Sequence, residues 1–167
     1  MTDIVVVDGA SQILVGTGGG GALQLLGYSV NGVEIIEDAF MGDVPGDLNG
    51  GDLGPPIDIQ YFGQIDRVRI EMSQYDPAIM DLIRPRLNGN APGLIGTPGS
   101  LIGAGGFGYR VLILPSSNLR IRNYLLGIPR QPISGNKGTR FSRPILEFEC
   151  HAVNLGGTVT LWNTASS

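Results

Sequence analysis

Glycine and proline constrain this chain more than any other feature. The 167 residues contain 27 glycines and 11 prolines. Glycine stands at more than twice its usual share of about 7%. Long helices do not survive such punctuation, whereas short strands joined by turns do. The length suits one domain, residues 1–167, with a core of its own. Charged residues make up only 16% of the chain, so much of its surface is expected to meet other protein rather than solvent.

The glycine run Gly16-Thr17-Gly18-Gly19-Gly20-Gly21 follows the apolar Ile13-Leu14-Val15 and fits a dinucleotide-binding pattern. The pattern works only where the glycines open a helix whose N-terminus faces a pyrophosphate. Ala22 to Leu26 is too short for the crossover helix of a βαβ unit, and Gly27 ends it. No lysine precedes Lys137, which removes the phosphate loop that needs Gly-Lys-Ser or Gly-Lys-Thr. The run is expected to be a flexible segment or a close backbone approach.

Alternation marks the strands. Residues 4–7 and 13–15 read as short β segments. Val30, Val33, Ile35 and Ile36 flank Asn31-Gly32, a strong hairpin signal. Residues 65–72 place Asp66, Val68, Ile70 and Met72 on one face and Ile65, Arg67, Arg69 and Glu71 on the other. Tyr109 to Pro115 reads as a strand buried on both faces. Residues 119–126 alternate again, with Arg120 and Arg122 on one side. Residues 144–153 set Leu146, Phe148, Cys150 and Ala152 against Glu147, Glu149 and His151. Residues 157–162 close the pattern as a last strand. One helix is expected within 73–89: Asp76 caps it, Pro77 suits its first position, Ile79, Leu82 and Ile83 form its apolar stripe with Met80 at the edge, and Gly89 stops it. The fold class is therefore α+β, mainly β. Residues 37–58 are rich in acids, glycine and proline, and read as a long early loop; Phe40, Met41, Val44 and Leu48 are candidate anchors for a partner within it.

Charge is segregated along the chain. Residues 1–66 hold ten acids and no lysine or arginine, whereas residues 67–167 hold five acids and all 11 basic residues. Either the halves neutralise each other within the fold, or the subunit is dipolar and suited to head-to-tail stacking.

Catalytic signals are weak. Cys150 and His151 are the sole cysteine and histidine, and strand neighbours point to opposite faces. One cysteine makes no internal disulfide, and no cluster suits a metal. No cofactor is expected. Glu147 and Glu149 share a face, which more often means a solvated strand than acid–base chemistry. The aromatics Tyr61, Tyr109, Tyr124, Phe141 and Trp162 lack the basic interleaving of an RNA-binding sheet. The acidic pI disfavours DNA binding. No apolar run approaches the length of a membrane span, and the first residues lack a signal peptide, so synthesis in a cytoplasm is expected.

Taken in order, "LGYSVNGVEI", "PPIDIQYFGQIDRVRIEM", "DPAIMDLIRPRL" and "PISGNKGTRFSRPILEFECHAV" followed by "GTVTLW" resemble the tail tube proteins of tailed bacteriophages. The resemblance covers most of the chain. It implies a β-sandwich or half-barrel with one flanking helix, six subunits closing a ring by edge-to-edge strand pairing, and rings stacked through the long loop between two early strands. It implies a virion protein of the tail, made in the host cytoplasm, whose partners are copies of itself and other tail proteins. DNA would pass through an acidic lumen without specific binding. On that reading the stacking candidates are Glu37, Asp38, Phe40, Met41, Asp43, Asp47 and Asp52, facing Arg120, Arg122, Arg130, Lys137, Arg140 and Arg143 of the next ring. Glu147 and Glu149 are the lumen candidates. A capsid decoration or neck (head-tail connector) protein of a tailed phage is the alternative, and a small hydrolase or nucleotide-binding enzyme lacks a catalytic cluster to support it.

Overall fold

A computed structural model describes residues 9–17, 22–45, 58–83, 108–116, 121–130 and 143–164. The elements within them are β1 (Gln12–Thr17), β2 (Gln24–Val44), β3 (Asp58–Tyr75), α1 (Pro77–Ile83), β4 (Tyr109–Leu114), β5 (Arg122–Pro129), β6 (Ile145–Cys150), β7 (Val153–Leu155), β8 (Thr158–Thr160) and β9 (Trp162–Asn163).

Six strands close on themselves. Their order is β4-β1-β2-β3-β6-β5, and β5 pairs back onto β4. All these pairings are antiparallel. The molecule is thus a closed barrel and not the expected β-sandwich or half-barrel with a helix on its flank. The alternation of each strand suits either architecture. The deciding contacts, β1 with β4 and β4 with β5, join segments far apart in sequence and leave no mark in local periodicity.

The interior is filled by the inward residues of that alternation. Val68, Ile70 and Met72 from β3 meet Leu146, Phe148 and Cys150 from β6, Ile13 and Val15 from β1, Val111 and Ile113 from β4, Leu26 from β2 and Tyr124 from β5 in one buried cluster. The faces read from sequence for residues 65–72 and for 146–150 hold here. So does the doubly buried β4, where Leu112 is covered although it points away from that cluster.

The helix starts where expected. The Asp76 carboxylate accepts from the N–H groups of Ala78 at 2.8 Å and Ile79 at 3.4 Å. Its position differs: Met80 and Ile83 join the barrel core, and Ile79 packs at its margin. The Asp76 N–H also donates to the Leu26 carbonyl at 2.8 Å, fixing α1 beside β2 where β3 ends. Met80, expected at the edge of the helix's apolar stripe as core filler, is buried in the core.

Two further expectations change. Asn31-Gly32 does not turn a hairpin; it lies inside β2. Ser29 pairs with Met72 and Val33 with Ile70, so Val30, Asn31 and Gly32 oppose the single residue Glu71. Gly32 has φ of 92°, and the freedom that suits a hairpin turn here forms a bulge. Nor is 37–58 one long loop: Glu37 to Val44 continue β2 and Asp58 opens β3. Residues 46–57 lie outside the described residues, as do 4–7. The glycine run ends a strand at Thr17, and its Gly18 to Gly21 are likewise outside. β1 and β2 are antiparallel neighbours, which is not the parallel βαβ geometry of a dinucleotide site.

Candidate functional site

β2 and β3 outgrow the barrel. On β3, pairing to β6 covers Asp66 to Glu71 only. On β2, pairing to β1 covers Gln24 to Tyr28 only. Their mutual ladder nevertheless runs on to Val44 opposite Asp58. The result is a two-stranded arm, residues 38–44 with 58–65, projecting from one end of the barrel.

The arm is apolar on both faces. Cross-strand pairs share a face, so Met41 with Tyr61 and Asp43 with Ile59 continue the face that bears the core lower down. A bulge at Phe62, between the Phe40–Gly63 and Met41–Tyr61 pairs, places the Phe62 ring over Gly42, on the same side as Phe40 and Ile36. Ile36, Phe40, Met41, Ile59, Tyr61 and Phe62 are between 44% and 64% exposed. Isolated two-stranded ribbons are at best marginally stable in water, and such side chains gain free energy when covered.

A buried polar network anchors the arm's root. Asp66, fully buried, begins the inward row of β3. Its carboxylate accepts from Tyr124 Oη at 2.8 Å, Arg122 Nη1 at 3.2 Å and Gln64 Nε2 at 2.9 Å. Arg122 also donates to Tyr124 Oη at 3.1 Å and to Glu37 of β2 at 2.8 Å. Its guanidinium lies 4.8 Å from the centre of the Trp162 ring on β9. One arginine on β5 thereby ties together β2, β3 and β9. Burial drives the Tyr124 phenol well above its ordinary pKa; the Asp66 carboxylate adds to the shift and Arg122 opposes it.

The sequence candidates fall into three groups. Phe40, Met41 and Asp43 sit exposed on the arm. Glu37, Asp38, Arg122, Arg130 and Arg143 find partners in their own chain: Glu37 with Arg122, Asp38 with Arg67, Arg130 with Glu149 and Arg143 with Glu71. Of these pairs, Glu37–Arg122 and Asp38–Arg67 join the acidic first half to the basic second half, whereas Arg130–Glu149 and Arg143–Glu71 form within the second half. Asp47, Asp52, Arg120, Lys137 and Arg140 lie outside the described residues. Glu147 and Glu149 alternate with core residues on the outside of the barrel, as read from sequence. Their neighbours were not legible: Arg69 stands opposite Glu147 and Arg67 opposite Glu149. Glu149 also pairs with Arg130 at 3.0 Å and His151 Nε2 at 2.8 Å, so the surface is mixed in charge and not acidic.

Sequence reasoning missed the partners of the arm and the root. Asp66 gave a signal, a carboxylate in line with Val68, Ile70 and Met72. Ile59, Tyr61 and Phe62 gave none, because alternation there is interrupted by the bulge. Cys150 is buried, and burial, with the Asp66 and Glu149 carboxylates, drives its thiol well above the ordinary value. It is a core residue with little thiolate at neutral pH. Among the described residues there is no group of three His, Cys, Asp or Glu that could hold a metal ion, and no helix long and apolar enough to cross a membrane. No protein-family model matches the chain, and a search of curated proteins finds no match. What fold and site define together is a closed antiparallel barrel bearing an uncovered two-faced β arm.

Proposed function

We propose that this protein is a structural subunit of a bacteriophage tail tube, a non-enzymatic building block that assembles into stacked hexameric rings around a DNA conduit. The observation that carries the reading is the arm. It joins two early strands, where the resemblance to tail tube proteins puts the stacking element, and its apolar faces call for a neighbouring subunit. Among the described residues, residues 30–44 of β2 and 58–65 of β3 have no strand on their outer sides. These edges supply the backbone pairing that ring closure requires. In such a tube the face of Glu147 and Glu149 is the lumen candidate, and Arg67, Arg69 and Arg130 offset its charge. DNA would then pass over a mixed surface that neither grips nor strongly repels it.

A second reading, a decoration or neck protein of the same particle class, draws on the closure of the barrel, which leaves no barrel edge to be completed by a neighbour. Negative-stain electron microscopy of the purified protein across a concentration series separates the two. Rings that stack into hollow tubes are expected. Trimers or single rings that never stack would favour the second reading, and dispersed monomers at every concentration would overturn both.

A further inference from the structure

β6 does not cover β5 along its whole length. It pairs with Gly127 to Pro129, and just beyond them the His151 N–H donates to the Leu126 carbonyl at 2.9 Å. On β3 its pairing stops at Asp66. Past that point, at the end of the barrel from which the arm leaves, β9 takes the place beside β5. Asn123 and Tyr124 pair with Leu112 and Val111 of β4 on one side and with Asn163 and Trp162 of β9 on the other. Cross-strand partners share a face, as do residues two apart on a strand, so Trp162, Tyr124 and Arg122 point the same way. Glu37 and Asp66 are likewise partners across the β2–β3 ladder. The Arg122 guanidinium is thus shared by the Trp162 ring, 4.8 Å away at its centroid, and two carboxylates at the arm's root.

We infer that β9 is a detachable strap that sets the arm's orientation, with Trp162 a positioning residue that acts through Arg122. β9 has 2 residues, and so short a ladder does not hold a strand by itself. It is fastened by Trp162 on Arg122 and by the Asn123 Nδ2 donation to Asn163 Oδ1 at 2.8 Å. Arginine's fork is planar and rigid, so a ring against it and carboxylates at its tips fix one orientation together. Nη1 reaches Asp66 and Nη2 reaches Glu37. Without the ring the fork is free to turn, and β2 and β3 lose their common partner. Asp66 keeps Tyr124 and Gln64, so the barrel core survives the loss. Such coupling is reciprocal: a contact that turns the arm's root also loosens β9. The device works within a single copy and does not depend on what covers the arm.

Hydrogen exchange of the full-length protein tests the coupling. Trp162→Leu keeps apolar bulk but no aromatic face. In it the amides of Glu37, Asp38, Ile65 and Asp66 should exchange on the order of tenfold faster, while those of β1 hold their wild-type rates. Trp162→Phe keeps an aromatic face and should restore most of the protection. Faster exchange confined to β9 and β5, or no change, would overturn the inference. An equal rise throughout the chain, β1 included, would make Trp162 a stability residue only and overturn it too. If Trp162→Leu does not fold, the reverse direction decides. Trp162 is the sole tryptophan, so its emission reports the strap. Glu37→Ala, a change on β2, should shift that emission through Arg122. An emission spectrum identical to wild type in Glu37→Ala would overturn the coupling.

Discussion

Asp66 is the residue on which the arm's attachment turns. A carboxylate removed from water at the head of an apolar row is tolerable only because three donors converge on it. Replacing it with alanine strands the Tyr124 hydroxyl and leaves Arg122, partly buried, with Glu37 as its remaining carboxylate partner. Loss of one member of a buried ion pair costs about 3 kcal/mol or more. Tyr124→Phe removes a single hydroxyl and is expected to cost about 1–2 kcal/mol. Urea unfolding of the two variants should therefore rank Asp66→Ala well below Tyr124→Phe; the reverse order would show that the network is incidental to stability. The same cluster predicts an alkaline limit. Tyr124 and Cys150 are both held neutral by burial, with folded pKa values raised above those of the unfolded chain. An acid raised in this way stabilises the fold fully below its unfolded pKa, and that stability drains as pH rises toward the folded value. The loss begins near about pH 8.5 for the thiol and about pH 10 for the phenol. The urea midpoint should fall between pH 8 and 11, and Cys150→Ala with Tyr124→Phe should flatten that fall. An unchanged slope in the double variant would place the alkaline sensitivity elsewhere.

At the scale of elements, the long β2–β3 ladder depends on two glycines for different reasons. A methyl group at Gly27 would run into the backbone carbonyl of Gln74, across the ladder, and φ there is 156°. Gly32 has open space around it and only its backbone angle to satisfy. Gly27→Ala is expected to cost about 3 kcal/mol through backbone displacement, and Gly32→Ala about 1–2 kcal/mol through conformation alone. Thermal or urea unfolding checks the order, and equal costs would show that the ladder yields at Gly27. These glycines also mark where sequence ceased to be a guide. The buried rows of β3 and β6 were legible because each alternates without interruption, and α1 was legible at its start because Asp76 and Pro77 act locally. Asn31-Gly32 misled because a bulge and a hairpin turn ask the same thing of a glycine. Residues 37–44 read as loop because their acids and glycine lower β propensity, yet β3 supplies partners from Asp58 to Asp66 across the ladder, and pairing outweighs propensity. Barrel closure was illegible, since no residue pattern records which distant strand edge another will meet.

For the whole molecule, the question is what drives one copy onto another. The sequence suggested charge, an acidic first half against a basic second half. The structure consumes part of that charge internally: Glu37–Arg122 and Asp38–Arg67 join the two halves, and Glu71–Arg143 and Glu149–Arg130 form within the second. Exposed pairs of this kind contribute little, about 0–1 kcal/mol each. Five of the ten large apolar side chains exposed among the described residues, Phe40, Met41, Ile59, Tyr61 and Phe62, lie together on the arm. The two forces respond to salt in opposite directions. Contacts between exposed charges fade as the screening length falls to about 3 Å in 1 M salt, whereas burial of apolar surface persists and is strengthened by sulfate. Assembly through the arm should therefore withstand 1 M sodium chloride and increase in ammonium sulfate, as read by sedimentation or light scattering. The triple variant Phe40→Ser, Met41→Ser, Phe62→Ser should abolish it while keeping the unfolding midpoint close to wild type, because surface substitutions of exposed residues shift stability by about 0.5 kcal/mol or less each. Assembly that dissolves in salt and survives the triple variant would return the drive to charge and remove the arm from its role.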